Sequence, residues 1–467
     1  MSSSHSLDAM VVTFDDTHSV TDGGMILPAT LAQHLGVQKL CDDHIDLGDA
    51  AGHANVGDKA MTVICSVLAG GDSIDDCNDL RAGDTARVLG HTVLAPSTVG
   101  TFLRSFTWGH ARQLDKVTAE LLARAWAGGA GPGDGPVTID IDSSIHETYG
   151  VAKHGGAKFT HTKVRGYHPL YAHIAGTGDV VHARLRGGNA NTGRGAGQFV
   201  TETINRVRAA GATGPATLRA DSGFYIGKVT AAARKAGVAY SITAKMNKAI
   251  RKTIDGIDDN AWEPIPYWLD AGADVAETSY RPFGYKAPVV RLIVRRVKPT
   301  PGSQLAMFVD WSYHAIITDR DGDTVALEAD HRRHAVVEDT IRDLKYGVGL
   351  NHLPSGRFGA NAAWLGLNII AHNLGRWTAR IGRLGDTITE TSDPTDPSDP
   401  TTETGDTIAD PGGRIIETGT VRRRYLRPAG RITFSGGEHT LHLPVNWPWA
   451  EQFMAALNRI RSVVAII

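Results

Sequence analysis

Alternating apolar and polar residues mark one short stretch of this 467-residue chain as a buried strand. Three apolar residues of Val137–Ser144 alternate with polar ones, and two of the polar residues are Asp140 and Asp142. Because side chains on a strand alternate between its two faces, both carboxylates are predicted to project from one face. Taken alone, the pattern also describes an ordinary buried strand that ends in a turn.

The following 100 residues show the periodicities of a mixed sheet covered by helices. Leu170–Ile174 and Val181–Leu185 alternate around a Gly-rich turn, which predicts a β-hairpin. A helical pattern then leads to the strand Ala216–Ala220, which delivers Asp221 at its exit, and a second helix precedes a last strand at Val238–Thr243. This order predicts an α/β fold with a ribonuclease H-like mixed sheet.

A third acidic residue lies on a predicted amphipathic helix at His331–Leu350. Apolar residues recur there at spacings of three and four, so one stripe of the helix is predicted to face a core. Glu338, Arg342 and Lys345 form a polar edge beside that stripe. An ion pair between Glu338 and Arg342 is the simpler explanation of their spacing.

The patterns divide the chain into a catalytic core and flanking regions. We predict a ribonuclease H-like core from 131–244 and 331–383, interrupted by a separate β-rich insertion at 245–330. A helical region at 1–130 is predicted to bind DNA or to dimerise. There, Ser73–Arg81 and a helix capped by Ser97 could form a helix-turn-helix or an ordinary helical hairpin. An acidic disordered linker at 384–413 and a C-terminal hairpin and helix at 414–467 complete the chain.

The net charge of −2 conceals an uneven distribution. Eight acidic residues and no Lys or Arg occupy 384–413, so the rest of the chain carries −2 + 8 = +6. Between 147 and 200, seven Lys and Arg face two acidic residues, which favours an anionic partner.

Composition excludes several other classes of protein. No apolar run approaches the roughly 20 residues that a transmembrane helix needs, and the N-terminus lacks the pattern of a signal peptide. The three cysteines form no Cys-x-x-Cys pair, which argues for a reducing cytoplasm and against a zinc ribbon.

The ordered set Asp142, Asp221 and Glu338, with a β-rich segment before the glutamate, resembles the DDE transposases of bacterial insertion sequences. These are cut-and-paste enzymes with a ribonuclease H-like core. In that family the helix of the glutamate often carries Tyr-x₂-Arg-x₃-Glu-x₆-Lys. Glu338 and Lys345 match this pattern, whereas His331 and His334 stand at the Tyr and Arg positions.

The resemblance implies a site and its partners. Asp142, Asp221 and Glu338 would be catalytic and would hold Mg²⁺ or Mn²⁺, two ions in all, and Asp140 is the alternative first aspartate. The chain would bind transposon inverted ends and target DNA as a homodimer or larger assembly. It would act in the bacterial cytoplasm in association with the nucleoid. Trp311 would stack on a base. The implied DNA contacts are Lys345, Arg342, His334, Lys153, Lys158, Lys163 and Arg165.

Two other functions are compatible with the same residues. A ribonuclease H-like nuclease or integrase would use the same metals without recognising transposon ends. A catalytically inactive protein derived from a transposase would bind DNA only.

Overall fold

The computed structural model describes residues 7–50, 52–153, 156–266, 272–299, 311–351, 353–385 and 416–464. Apart from its first two residues, the predicted linker at 384–413 lies outside these ranges.

The region before the first long strand is built mainly of helices. Residues Met10–Phe14 belong to no helix or strand, and the first strand follows them. The elements are β1 (Ser19–Val20), α1 (Ile26–Leu35), α2 (Val37–His44), α3 (Val56–Ala69), α4 (Thr85–Leu89), α5 (Pro96–Ser105) and α6 (Trp108–Ala125).

The predicted helix-turn-helix does not form. Asp75–Arg81 is a 3₁₀ helix, and α4 separates it from α5. Helix α5 also begins at Pro96 with Ala95 as its N-cap, and not at Ser97, because proline suits the first helical position, where no N–H donor is needed.

The core follows as an alternation of strands and helices. Its elements are β2 (Val137–Ser143), β3 (His146–Glu147), β4 (Lys158–Phe159), β5 (Arg165–Tyr167), β6 (Leu170–Ile174), β7 (Val180–Arg184), α7 (Ala196–Ala209), β8 (Ala216–Ala220), α8 (Gly227–Lys235) and β9 (Ala239–Thr243). Strands β3, β5 and β4 form a small separate sheet.

Five of these strands lie side by side in the order β7-β6-β2-β8-β9. Strands β7, β6 and β2 are antiparallel neighbours, whereas β2, β8 and β9 run parallel. This order and these directions are those of a ribonuclease H-like sheet, so the predicted fold class is confirmed. Parallel strands end at the same edge, which is where the predicted acidic residues emerge.

The predicted insertion is not a separate sheet. It contains α9 (Lys248–Ile254), β10 (Glu263–Ile265), β11 (Ala273–Tyr280), β12 (Val290–Val297), β13 (Ser312–Thr318) and α10 (Thr324–Arg332). Strand β13 pairs with β9, so all four strands extend the main sheet to nine strands among the described residues. The free edge of β9 was available for this pairing, and an unpaired edge next to a β-rich segment favours it.

The remaining elements close the core. They are α11 (Val336–Arg342), α12 (Phe358–Gly382), α13 (Thr418–Val421), β14 (Gly430–Ser435), β15 (Glu438–His442) and α14 (Ala450–Arg461). The predicted helix at His331–Leu350 is therefore divided, because a 3₁₀ turn precedes α11 and a wider π turn at Asp343–Gly347 follows it. The β14–β15 hairpin and the closing helix confirm the predicted C-terminal elements.

Helix α12 joins the N-terminal helices to the sheet. It is buried nearly all round and contacts α3, α5, α6 and β7. The side-chain amide of Asn373 pairs with the backbone N–H and C=O of Val180, each at 2.9 Å, and so satisfies part of the edge strand β7. None of the helices in the described ranges combines the length and apolar character needed to cross a membrane.

Candidate active site

Asp142 and Asp221 stand side by side at the carboxyl ends of neighbouring parallel strands. Ile141 of β2 pairs with Ala220 of β8, and the next residue on each strand is one of the two aspartates. Neighbouring strands are about 4.8 Å apart, so residues 79 positions apart in sequence become direct neighbours. Backbone N–H groups orient both side chains, from Ser143 to Asp142 at 2.6 Å and from Gly223 to Asp221 at 3.0 Å.

The two carboxylates lie in a partly buried environment. Burial, together with the charges of Asp221 and Glu338, raises the pKa of Asp142 to about 6. Burial also raises the pKa of Asp221, against the opposing effect of its hydrogen bond from Gly223. Carboxylates that repel each other in a partly buried site favour a bound cation, because the cation would neutralise their negative charge.

Glu338 approaches the strand ends from helix α11. Val337, Thr340 and Ile341 are buried and fix the helix against the core, which leaves Glu338 on the exposed side. Helix α11 contacts β2, and the charge of Glu338 acts on Asp142. The structure therefore brings the three predicted acidic residues into one neighbourhood.

Lys345 belongs to the same neighbourhood. It lies in the π turn after α11, where burial lowers the pKa of its ammonium group against the opposing charges of Asp142 and Glu147. A half-buried lysine beside a carboxylate can hold a phosphate oxygen near that carboxylate.

Asp140, the alternative first aspartate, has other partners. Only 1% of its side chain is exposed, and the Arg219 guanidinium donates to both of its oxygens at 2.8 Å. Burial alone would raise the pKa of Asp140. Hydrogen bonds from His334 and Arg219 nevertheless hold this pKa well below its usual range. Asp140 is therefore a buried ion-pair partner, and its oxygens are already occupied.

The two histidines at the motif positions differ in their contacts. His331 is buried, and its two ring nitrogens lie 2.8 and 2.9 Å from the hydroxyls of Ser241 and Thr243. His334 places Nδ1 2.8 Å from Asp140, while its Nε2 is buried without a hydrogen-bond partner among the described residues. His334 lies near the acidic pair, since its charge acts on both Asp142 and Asp221.

The expected ion pair between Glu338 and Arg342 does not form. Arg342 instead contacts Asp339 at 3.1 Å and Glu417 at 3.2 Å. Its side chain is 58% exposed, so it can exchange these partners for a phosphate at low cost.

The predicted basic stretch lies on and around the small sheet of β3, β4 and β5. Lys158 and Lys163 are exposed, Lys153 ends a short 3₁₀ turn, and the Arg165 guanidinium lies 4.8 Å from the centre of the Phe159 ring. This sheet follows directly from β2 in the chain, so the basic residues lie on the segment that leaves the strand of Asp142.

Trp311 lies at the same edge of the sheet as the acidic residues but beyond β9. Strand β13 runs antiparallel to β9, so its start lies near the ends of β8 and β9. The Arg296 guanidinium lies 4.3 Å from the Trp311 ring and 4.2 Å from the Trp262 ring. The structure does not bring Trp311 together with the three acidic residues.

Sequence reasoning missed the residues that support the site. Arg186 donates to the backbone carbonyls of His168, Asn191, Thr192 and Arg194, and so orders a Gly-rich loop. From this loop Thr192 reaches Ser143 at 3.2 Å. A buried arginine that bonds only backbone carbonyls leaves no periodic signal in the sequence.

The donor set has the chemistry for a hard divalent cation, because it offers only carboxylate oxygens. In the described ranges, no three His, Cys, Asp or Glu side chains are close enough together to form a metal-binding group. Asp142, Asp221 and Glu338 are thus neighbours whose oxygens are not yet at ligand spacing. Their residue types and their mutual repulsion fit such a cation.

A ribonuclease H-like sheet with acidic residues at the ends of its central parallel strands defines a class of enzymes that cut and join nucleic acid strands. A family model described as Transposase DDE domain group 1 matches residues 3–390. The chain belongs to this family and is a DNA transposase, an enzyme that cleaves transposon ends and transfers the cut strands into target DNA. Divalent metal ions are general cofactors of DDE transposases.

The chain also has a weak likeness to a solved structure. The solved structure of a piggyBac transposase synaptic complex with hairpin DNA is 12% identical, with 78% of this chain and 76% of that chain covered and a TM-score of 0.43. A likeness at this level supports no further argument. A search of curated proteins found no match.

Proposed function

We propose that Asp142, Asp221 and Glu338 are the catalytic residues with which this transposase cleaves DNA and joins it to a target. The observation that supports this most directly is the parallel register that sets Asp142 beside Asp221, with Glu338 acting on the same carboxylate. The first aspartate of the catalytic set is Asp142 rather than Asp140, because both oxygens of Asp140 are already hydrogen-bonded to Arg219 or His334.

The three carboxylates would hold Mg²⁺ or Mn²⁺, two ions in all. When bound, such ions activate the attacking oxygen and stabilise the leaving oxygen of a phosphodiester. The protein's own residues supply the rest: backbone N–H groups orient the two aspartates, and Lys345 holds a phosphate oxygen beside Asp142.

DNA would cross the site along positively charged residues. Arg342 and His334 would contact phosphates next to the cleaved bond, and Lys153, Lys158, Lys163 and Arg165 would follow the backbone further away. Trp311 would stack on a base from the extended part of the sheet. Its contact with Arg296 also fits a purely structural role.

The active assembly would be a homodimer or a larger complex that holds two transposon ends. We also propose that it acts in the bacterial cytoplasm, bound to nucleoid DNA. Cys41, Cys65 and Cys77 are buried free thiols, which supports a reducing compartment.

A donor plasmid that carries the DNA flanking this gene tests the residue assignments. We expect Asp142→Asn, Asp221→Asn and Glu338→Gln each to reduce Mg²⁺-dependent cleavage more than about 100-fold, since even outer partners of metal ligands cost 10–100-fold. Binding of the end DNA should persist in each variant, because the phosphate contacts remain.

Glu451→Gln is the matched control, since Glu451 is an exposed glutamate in the first turn of helix α14, outside the proposed site. It should cleave at the wild-type rate. Full cleavage by Asp142→Asn would show that Asp142 is not a catalytic residue. Cleavage by the wild type without preference for the flanking ends would favour a nuclease or integrase over a transposase.

A further inference from the structure

A buried ionic cluster lies beside the three acidic residues of the candidate active site. Its centre is Asp140, and its other members are Arg219, His334 and Asp330. Asp140 and Arg219 are direct partners in the parallel register of β2 and β8, and both side chains are almost completely buried. These four side chains are called the Asp140 cluster below.

The guanidinium of Arg219 uses all three of its nitrogens within this cluster. Nε and Nη2 each donate to one oxygen of Asp140 at 2.8 Å, and Nη1 donates to the backbone carbonyl and the carboxylate of Asp330 at 2.5 and 3.2 Å. His334 Nδ1 lies 2.8 Å from the same Asp140 oxygen that accepts from Nε. One carboxylate on β2 is therefore bonded both to β8 and to the segment that leads into α11.

Two of the acidic residues follow a member of the cluster closely along the chain. Asp142 comes two residues after Asp140 on β2, and Asp221 comes two residues after Arg219 on β8. Because the two strands are parallel neighbours, a contact between Asp140 and Arg219 also fixes how far each strand extends at the edge where the acidic residues emerge.

The third acidic residue is connected to the cluster through a helix. Glu338 follows His334 by four residues, which is about one helical turn. His334 belongs to the 3₁₀ turn that leads directly into α11, and α11 contacts β2. The contact of His334 with Asp140 therefore holds the start of the helix that carries Glu338 against β2.

Stability alone does not account for ionic groups at this place. A buried ion pair is often no more stabilising than apolar residues of similar volume, because both charges lose their hydration. Its distinguishing property is direction, since a bidentate contact between an arginine and a carboxylate fixes both distance and orientation. Residues of a catalytic site must be held to within about 0.5 Å, so such a contact is well suited to their support.

We propose that the Asp140 cluster positions the three acidic segments relative to one another, and so sets how tightly Asp142, Asp221 and Glu338 hold a divalent cation. Asp140 and Arg219 are thus positioning residues, because they act through the acidic residues that follow them. The inference rests on the proposed function of the three acidic residues.

Hydrogen exchange of the full-length protein in chelator tests the positioning without metal or DNA. Asp140→Asn removes the charge that Arg219 and His334 share. The amides at the end of β2, at the end of β8 and in α11 should therefore all exchange faster than in the wild type. Faster exchange confined to β2 would overturn the inference, because Asp140 would then not join the three segments.

Asp179→Asn is a control of the same chemistry at another place. Asp179 is a fully buried aspartate that accepts from the Arg380 guanidinium at 3.0 Å. It lies between β6 and β7, at the opposite edge of the sheet from Asp142, because β6 runs antiparallel to β2. Its substitution should speed exchange around the turn between β6 and β7 and leave the three acidic segments unchanged.

Binding of Mn²⁺ to the full-length protein, followed by electron paramagnetic resonance, tests the consequence for the site. Asp140→Asn should weaken this binding about 10-fold or more, since changes to the partners of metal ligands cost 10–100-fold. Arg219→Lys keeps both buried charges but loses the bidentate contact, so it should fold and still bind Mn²⁺ more weakly. Asp179→Asn should bind Mn²⁺ as the wild type does.

Wild-type affinity for Mn²⁺ in both Asp140→Asn and Arg219→Lys would contradict the inference. Mn²⁺ binding that persists unchanged in Asp142→Asn would instead count against the proposed function. In that case hydrogen exchange would still decide whether Asp140 joins the three segments.

Discussion

The two aspartates of strand β2 show how much one position along a strand decides. Asp140 and Asp142 share a face and a sequence pattern, and residue chemistry alone does not separate them. Their neighbours do, because Arg219 stands opposite Asp140 on β8, whereas Asp221 follows Ala220 beside Asp142. Asp140 is consequently neutralised by a guanidinium, and Asp142 faces another carboxylate.

The raised pKa of Asp142 predicts a pH-dependent stability of the metal-free protein. A carboxyl group whose pKa is higher in the folded state stabilises the fold fully only below its unfolded pKa, about 4. That contribution is lost as the pH rises through about 6. In the presence of chelator, the contribution of Asp142 to the free energy of unfolding should therefore fall by about 2 kcal/mol between pH 4 and pH 7.

Asp142→Asn checks the origin of that fall. The variant keeps the shape of the side chain without its charge, so it should be more stable than the wild type at pH 7 and lose less stability between pH 4 and pH 7. Identical pH profiles for the two proteins would show that folding does not raise the pKa of Asp142.

The π turn that carries Lys345 is held by a segment far along the chain. Asp343 begins this turn and is nearly buried, and Thr418 donates to it from its backbone N–H at 3.2 Å and from its hydroxyl at 2.7 Å. Arg376 of α12 donates to the same carboxylate at 3.1 Å. The segment after the predicted linker therefore positions Lys345.

Thr418→Val should destabilise the protein by about 1–3 kcal/mol, because it removes one hydrogen-bond donor from a buried carboxylate without changing the shape of the side chain. Cleavage at a temperature where the variant is fully folded should also fall, since the turn that presents Lys345 loses a restraint. Thermal unfolding and cleavage rates measure the two effects.

Thr420→Val is the matched control, since Thr420 lies two residues further on the same short helix and is not placed against Asp343. It should be nearly neutral in both measurements. Equal effects of the two substitutions would show that the contact with Asp343 does not hold the turn.

At the scale of the whole molecule, the extended sheet couples the insertion to the catalytic strands. Strand β13 continues the sheet from β9, and its Ile317, which is fully buried, pairs with Ile242. A sheet that shares its ladder and its core with an insertion is expected to unfold with it as one cooperative unit.

Ile317→Ala should therefore destabilise both parts, by about 2–4 kcal/mol. Hydrogen exchange with mass spectrometry should show faster exchange in β8 and β9 as well as in β12 and β13. Val289→Ala, at a side chain that is 52% exposed, should change neither region. Faster exchange confined to β12 and β13 would mean that the insertion is an independent domain.

The order of the core elements and the candidate acidic residues could be predicted from the sequence. Alternation with period two and apolar spacing of three and four are local, so β2, the β6–β7 hairpin, β8 and α11 could be recognised without tertiary information. The acidic residues could be found for the same reason, because each lies at the end of a strand or on the polar edge of a helix.

Which of these side chains contact one another depends on the three-dimensional fold. The choice between Asp140 and Asp142, the loss of the expected pair between Glu338 and Arg342, and the joining of the insertion to the main sheet all depend on contacts between distant segments. Pairing across a sheet and burial of a charge arise from three-dimensional neighbours, and no periodicity in the chain encodes them. The same holds for Lys345, which lies in the turn that begins at Asp343, because Asp343 accepts from Thr418 75 positions further along the chain.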